Sequence, residues 1–174
     1  MTIAFRIEEV AEIDSTNEGL RRRAAEGAVE GLVLRADAQT AGRGRRGRGW
    51  TSPPGNLYVS MLLRPDCAPV VGATLGFVAA IVLGAVLRDL TPAPVLHKWP
   101  NDVLVGGGKI TGMLLEAGTR PDGAAKRLVL GLGVNIVSHP EGGIHPATDL
   151  VASGGRPIAP QELLKRFLTG FGPA

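Results

Sequence analysis

Short apolar runs of strand length, separated by polar or glycine-rich turns, alternate along the chain with three stretches of helical period. Residues 3–13 (IAFRIEEVAEI) read as an edge strand with polar interruptions. Ser15-Thr16-Asn17-Glu18 has capping-box spacing and predicts a helix to about residue 25, stopped at Gly27. Residues 31–36 (GLVLRA) and 56–64 (NLYVSMLLR) are apolar and β-rich, the second as expected of an interior strand. Residues 38–55 hold too much glycine and arginine for either period and predict a loop. A long apolar helix follows, ending near Leu90. Brief strands at 95–99 and 103–105 flank the Pro100-Asn101-Asp102 turn, and Gly106-Gly107-Gly108 predicts a hairpin that returns the chain as a strand over 109–117. Arg120-Pro121-Asp122-Gly123 is a turn, and 127–137 (RLVLGLGVNIV) is a strand. Its Gly131 and Gly133 mark close approach by a ligand or another backbone. Residues 138–160 are irregular and 160–171 form a short amphipathic helix. The pattern predicts one α/β or α+β domain with a mixed, hairpin-containing sheet.

Length agrees with one domain: 174 residues suffice to bury roughly two-thirds of the unfolded surface. Glycine and proline are abundant, at 25 and 13, but 44% hydrophobic residues argue against disorder, so the glycines are local hardware. The single cysteine, Cys67, excludes an intramolecular disulfide and a zinc quartet and suits a reducing cytoplasm. The acidic start has no apolar run after a basic segment, so no secretory signal is expected. Residues 70–87 carry no charge and meet the minimum for a membrane span. Gly72, Gly76 and Gly84, the lack of aromatic ends and flanks of both signs favour a buried helix, with no membrane partner. His97, His139 and His145 lack metal-ligand spacing, and no nucleophile elbow is present.

Charge sharpens the picture. The net charge is +3, yet Arg43, Arg45, Arg46 and Arg48 lie in one loop, and without them the rest of the chain sums to −1. Gly42-Arg43-Gly44-Arg45-Arg46-Gly47 satisfies G-x-G-x-x-G but opens no helix, and no Walker lysine follows, so neither nucleotide fingerprint applies. Four guanidiniums on a glycine-rich loop can grip carboxylate or phosphate. An exposed loop without a ligand and an RG-type RNA-binding segment are the bland alternatives. Gln39-Thr40 and Trp50 on the flanks favour a small ligand with a carboxylate, a phosphate and an adenine-like ring. Lys98-Trp99-Pro100-Asn101-Asp102 and Lys109 place compact cations and polar groups around a second hairpin; exposed lysines and ordinary turn residues are the alternative. Asn135, after Gly131-Leu132-Gly133-Val134, reads either as a satisfied core amide or as a ligand contact.

Asp14-Ser15-Thr16-Asn17, then Gln39-Thr40-Ala41-Gly42-Arg43-Gly44-Arg45-Arg46-Gly47-Arg48-Gly49-Trp50, then Lys98-Trp99-Pro100-Asn101-Asp102 with Lys109-Ile110-Thr111-Gly112, and Gly131-Leu132-Gly133-Val134-Asn135, taken in this order, resemble the biotin protein ligase family (biotin-[acetyl-CoA-carboxylase] ligases). The resemblance covers about residues 7–137 and is weaker in the last helix. It implies a largely antiparallel sheet of the class II aminoacyl-tRNA synthetase-like, biotin/lipoate ligase type. It implies that biotin and ATP give biotinyl-5′-AMP and pyrophosphate, after which a lysine of a biotin carboxyl carrier domain takes the acyl group. Ser15, Thr16, Asn17 and Gln39 would line the biotin pocket or bond the ureido end; Gly112 would line the tail, with Gly131 and Gly133 in the same pocket. Gly42, Arg43, Gly44 and Arg45 would hold the carboxylate and the adenylate phosphate beside Lys109, with Arg43, Arg45 and Lys109 as the catalytic cations. Arg45, Arg46, Arg48, Trp50, Lys98, Asn101 and Asn135 would serve the nucleotide. No resident metal is expected: magnesium would arrive with ATP, with Asp102 as a candidate contact. A homodimer is compatible with the family. No helix-turn-helix precedes Met1, so no DNA partner is expected, and the chain stops where the family continues into a small C-terminal β-barrel, expected here to be absent or truncated. A lipoate or octanoate ligase-like enzyme and an RG-loop RNA-binding module are the competing readings.

Overall fold

The computed structural model describes residues 3–65, 67–119, 125–142 and 146–172. The turn expected at 120–123 and His145 lie outside the described residues. The apolar runs assemble into one seven-stranded sheet: β1 (Arg6–Ile13), β2 (Leu32–Gln39), β3 (Leu57–Leu63), β4 (Val95–Lys98), β5 (Asp102–Val105), β6 (Gly108–Thr119) and β7 (Ala125–Val134), in the order β1-β2-β3-β7-β6-β5-β4. Only β1 and β2 pair in parallel, joined by α1 (Thr16–Ala25); every other pairing is antiparallel. The expected mixed, largely antiparallel sheet is therefore what forms, with β1 at one edge.

Side chains alternate across the sheet. Leu57, Val59, Met61 and Leu63 of β3, with Leu128, Leu130, Leu132 and Val134 of β7, face the larger core. That core is closed by α3 (Leu75–Arg88), through Ala79, Leu83 and Leu87, and by α4 (Pro160–Phe171), through Leu163, Leu164, Phe167 and Phe171. The opposite face packs Leu34, Leu62 and Val129 on Leu20 and Ala24 of α1. Between β5 and β6, Gly106 and Gly107 both take positive φ, 56° and 86°, as a tight hairpin requires.

Several elements depart from the expected pattern. The long apolar helix is two pieces, α2 (Pro69–Gly72) and α3. Thr74 donates its hydroxyl to the Val71 carbonyl at 2.6 Å, and the bonds around it close after three residues, which tightens the chain out of the α-helical ladder. Val70–Arg88 is long and apolar enough to cross a membrane by length and composition, yet Leu83 and Leu87 are wholly buried on the sheet. The capping box does not form either. Ser15 makes no side-chain cap; the Thr16 N–H goes to Gln39 Oε1 at 2.8 Å, and Glu18 turns outward to Arg21. The irregular segment contributes a bridge, Lys109 with Ala147, and β7 stops at Val134, so Asn135 falls just beyond it.

The start of α1 is fastened electrostatically. Both oxygens of Asp14 accept the Arg22 guanidinium at 2.8 Å, and Oδ1 also accepts the Ser15 N–H. The Arg22 hydrogen bonds hold the Asp14 carboxyl at about 2, below its ordinary value, against the opposing effect of burial. A depressed carboxyl stabilises the fold fully above its unfolded pKa near ~3.9 and loses that contribution as pH falls toward the folded value. The pair is nearly half exposed and solvent-screened, so the effect is modest and salt-sensitive. Denaturation midpoints at pH 5 and pH 2.5 are expected to differ less in Asp14→Asn than in the wild type; an equal difference would remove Asp14 from the acid limb.

Candidate active site

The site lies on the α1 side of the sheet, in a cavity of about 620 Å³ beneath the arginine-glycine segment. That segment is not an unstructured loop. Its two legs bridge at Gln39 with Ser52 and at Arg43 with Gly49, the Trp50 N–H donates to the Gly42 carbonyl at 2.9 Å, and the tip is a 3₁₀ turn at Arg45–Gly47. Arg46 sits at φ 57°, the left-handed region, with glycine following. Gly42 allows the legs to cross: a Cβ there would collide with the Trp50 carbonyl oxygen. It is absent from the cavity wall, unlike every other residue assigned to the site from sequence.

The polar floor is built by β3 and the first turn of α1. Ser60, fully buried in an otherwise apolar strand, is 2.8 Å from Thr16 Oγ1 and 2.5 Å from Asn17 Oδ1. Thr16 Oγ1 donates to Gln39 Oε1 at 3.1 Å, Gln39 Nε2 donates to Ser52 Oγ at 2.9 Å, and Ser52 Oγ donates to the Trp50 carbonyl at 2.9 Å. One Ser60 hydroxyl proton serves two acceptors, and the Thr16 proton is committed to Gln39. The floor therefore has more acceptor positions than protons to fill them, which suits a ligand bringing N–H donors.

Glycines shape the walls by admitting protein side chains. Gly112 of β6 lies opposite Gly133 of β7, and the Trp50 indole rests on the pair, 2.9 Å and 2.6 Å from where their respective Cβ atoms would stand. A Cβ on Gly131 would collide with Oδ1 of Asn17 and stand 2.9 Å from its Cγ. The Lys109 ammonium is 5.4 Å from the Trp50 ring centroid and 2.9 Å from Asp102 Oδ1. That ion pair is not aligned as a hydrogen bond, and among the described residues Asp102 Oδ1 and the Trp50 Nε1 are buried without a hydrogen-bond partner.

The cavity wall carries Arg43, Arg45, Arg46, Arg48, Lys98 and Lys109 against one carboxylate, Asp102. Such a wall selects an anion of more than one charge. The cations are not equivalent. Arg45 Nη1 donates to Asn101 Oδ1 at 2.9 Å, and Asn101 Nδ2 donates to the Met113 carbonyl at 3.0 Å, so the β4–β5 turn seats that arginine over the cavity. The Arg43 guanidinium is instead directed at Glu18 and Glu116, at 3.3 and 3.2 Å. Lys109 is fixed through its backbone, which donates to the Pro146 carbonyl and accepts from Thr148 N–H. Asn135 is buried, and its Nδ2 donates to the Thr148 carbonyl at 3.0 Å, so it is at once a bonded amide and part of the wall. Among the described residues no three His, Cys, Asp or Glu side chains converge as a metal site.

Sequence reasoning passed over Ser60, Glu18, Glu116 and the 146–148 segment. A lone serine in the buried run LYVSMLL was a readable signal for Ser60; the others carried none.

Residues 10–135 match the Biotin/lipoate A/B protein ligase family. The chain belongs to that family. Within it the similarity is to biotin ligases. A biotin--[acetyl-CoA-carboxylase] ligase of Paracoccus denitrificans is 38% identical over 169 residues, 93% of this chain and 70% of the relative. One of Mycobacterium tuberculosis is 41% identical over 85% of this chain and 56% of its own length, and the bifunctional ligase/repressor BirA of Escherichia coli is 44% identical over 71% and 38%. The biotin protein ligase of Aquifex aeolicus, solved with biotin and ATP, superposes with a TM-score of 0.81 at 32% identity, over 97% of this chain and 69% of that one. The Leishmania major ligase, solved with biotinyl-5-AMP, gives 0.77 at 28% identity, over 95% and 73%. The expected family and fold are thus met, and this chain spans 70%, 56% and 38% of the length of the Paracoccus, Mycobacterium and Escherichia relatives.

Proposed function

We propose that this family member is an ATP-dependent biotin protein ligase, which makes biotinyl-5′-AMP and passes biotin to a lysine of a biotin carboxyl carrier domain. The observation that carries the reading is the pairing, in one cavity, of an acceptor-rich polar floor with a cationic roof. The ureido N–H groups meet the floor at Thr16, Asn17 and Ser60, with the Ser15 hydroxyl for the ureido oxygen. The tail runs along Gly112 toward Lys109 and Arg45.

A carboxylate oxygen then attacks the α-phosphorus, the bond from that phosphorus to the bridging oxygen breaks, and pyrophosphate leaves. Two anions must be brought together, so cations fixed before reaction lower the barrier most, and in-line positioning supplies much of the rest. The biotin carboxylate is ionised at neutral pH, so this step needs no base. In the second step a neutral lysine amine attacks the acyl carbon, the acyl–phosphate bond breaks to release AMP, and the amine proton passes to solvent. Trp50, with its unpartnered buried Nε1–H, and Asn135 serve the base and ribose. Magnesium arrives with ATP as part of the substrate; Asp102, whose Oδ1 lacks an aligned donor, is a fitting oxygen contact for it. Half-buried Cys67 suits a reducing, cytoplasmic setting.

The direct test is ATP–pyrophosphate exchange: it is expected to require biotin, and exchange that ignores biotin, or answers better to lipoate, would end the proposal. Arg45→Ala is expected to lower exchange by roughly tenfold to a hundredfold, about 1.5–3 kcal/mol for a lost hydrogen bond to a charged group, with melting unchanged. Wild-type exchange in that variant would remove Arg45 from the phosphate site.

A further inference from the structure

Arg43 is the loop arginine whose guanidinium is already engaged by protein carboxylates. Its Nη2 lies 3.2 Å from Glu116 Oε2 and 3.3 Å from Glu18 Oε2. Arg21 completes a ring, 3.3 Å from Glu18 Oε2 and 3.9 Å from Glu116 Oε1. Two arginines thus face two glutamates, and the cluster is locally neutral. The Glu116 oxygen that holds Arg43 also accepts Asn17 Nδ2 at 2.9 Å, and Asn17 donates as well to the Leu114 carbonyl at 3.3 Å. From Asn17 the hydrogen-bond chain runs through Ser60, Thr16 and Gln39 to Ser52 and the Trp50 carbonyl. One continuous network therefore leaves the loop on one leg, crosses the pocket floor and rejoins the loop on the other leg.

We infer that Glu116 is a positioning residue that holds Arg43 and fastens the arginine-glycine loop to the pocket floor, so that a ligand bound on Asn17 and Thr16 steadies the roof above it. Glu116 itself is outside the cavity wall. It acts through Arg43 and Asn17 and contributes to ligand retention rather than to the chemical step. Glu18 supports it from the exposed start of α1. The pairs are partly solvated, so the effect is of the size of a strong surface network and not of a buried ion pair. The kinetic arm of the test rests on the proposed function; the structural arm does not.

Trypsin cleaves after arginine, and the loop offers Arg43, Arg45, Arg46 and Arg48, so ligand-free nicking at residues 43–48, located by fragment mass, reads the fastening directly. Glu116→Gln keeps an oxygen for Asn17 and removes the charge facing Arg43. It is expected to be nicked in the loop about three- to tenfold faster, with the other arginines cleaved as before. In exchange assays the KM for biotin should rise by a similar factor with kcat unchanged. Raising salt should speed loop nicking of the wild type more than that of Glu116→Gln, in which only the Glu18 contact to Arg43 remains to be screened. Glu18→Gln, which does not touch the floor, gives a second variant should Glu116→Gln melt early, and is expected to be nicked faster as well. Wild-type nicking rates in both variants overturn the inference whatever the protein binds. An unchanged KM for biotin with fast nicking also overturns it, because the roof and floor would then be independent. Wild-type exchange that ignores biotin would instead remove the functional reading and leave the nicking comparison standing.

Discussion

Replacing Lys109 by alanine is expected to slow biotin-dependent ATP–pyrophosphate exchange by about 10²–10³-fold, or ~2.7–4 kcal/mol, as for removal of a preorganised charge contact at a transition state. The reason is local. Lys109 stands 2.9 Å from Asp102 and under the Trp50 ring, at the junction of the floor and the cationic roof. Without it Asp102 loses its ion-pair partner in the cavity proposed to receive a carboxylate and a triphosphate. Lys109→Arg restores charge but not a compact ammonium, and is expected to recover only part of the rate. Stability should change little. The ammonium is about a third exposed, and a pair of that kind contributes up to about 1 kcal/mol, a few degrees of melting temperature for a domain of this size. A folded Lys109→Ala protein with wild-type exchange would refute the assignment.

Gly131→Ala is expected to cost about 1–3 kcal/mol, read both as a lowered melting temperature and as a tenfold to hundredfold loss of biotin affinity by calorimetry. Gly131 pairs with Ser60 across β3 and β7 and with Leu114 across β6 and β7, so ladders on both sides hold its backbone. The added methyl meets Asn17, itself buried and held by Ser60, Leu114 and Glu116, and nothing flexible can yield. Gly76 in α3 is the contrast. No atom lies within 4 Å of a Cβ there, and Gly76→Ala should be neutral or stabilising by up to about 1 kcal/mol. Undiminished biotin affinity in Gly131→Ala would show that the position of Asn17 does not form the floor.

Much of the framework was legible because it rests on local chemistry. The apolar runs became strands within a few residues of their expected bounds, since period-two burial and turn glycines are written along the chain. The concentration of positive charge at residues 43–48, in a chain otherwise near neutrality, was legible as a candidate anion site before any geometry was known. The ordered motifs identified the family for the same reason: each is a short stretch whose backbone and side chains act together. Local reading failed where a distant group outcompeted a near one. The capping box at Ser15 and Glu18 is sound as local chemistry, but Asp14 takes the Ser15 N–H that Glu18 would accept, and Arg43 and Arg21 take the Glu18 carboxylate. The loop was readable as a loop but not as a bridged hairpin, because its bridges form only when Gln39 and Ser52 are brought side by side.

The sequence by itself determined the elements and the seat of the cations, because propensity, periodicity and charge act over a few residues. Only the tertiary structure decided which cations are seated over the cavity. Strand register places Gly112 against Gly133 and seats Trp50 on the pair, and the turn after β4 seats Arg45. Arg43 meets Glu116 across 73 positions of chain, and nothing short of the folded sheet sets that distance. Side chains far apart in sequence become neighbours through backbone ladders, and it is those ladders that set Arg45 over the cavity on Asn101 and turn Arg43 to Glu18 and Glu116.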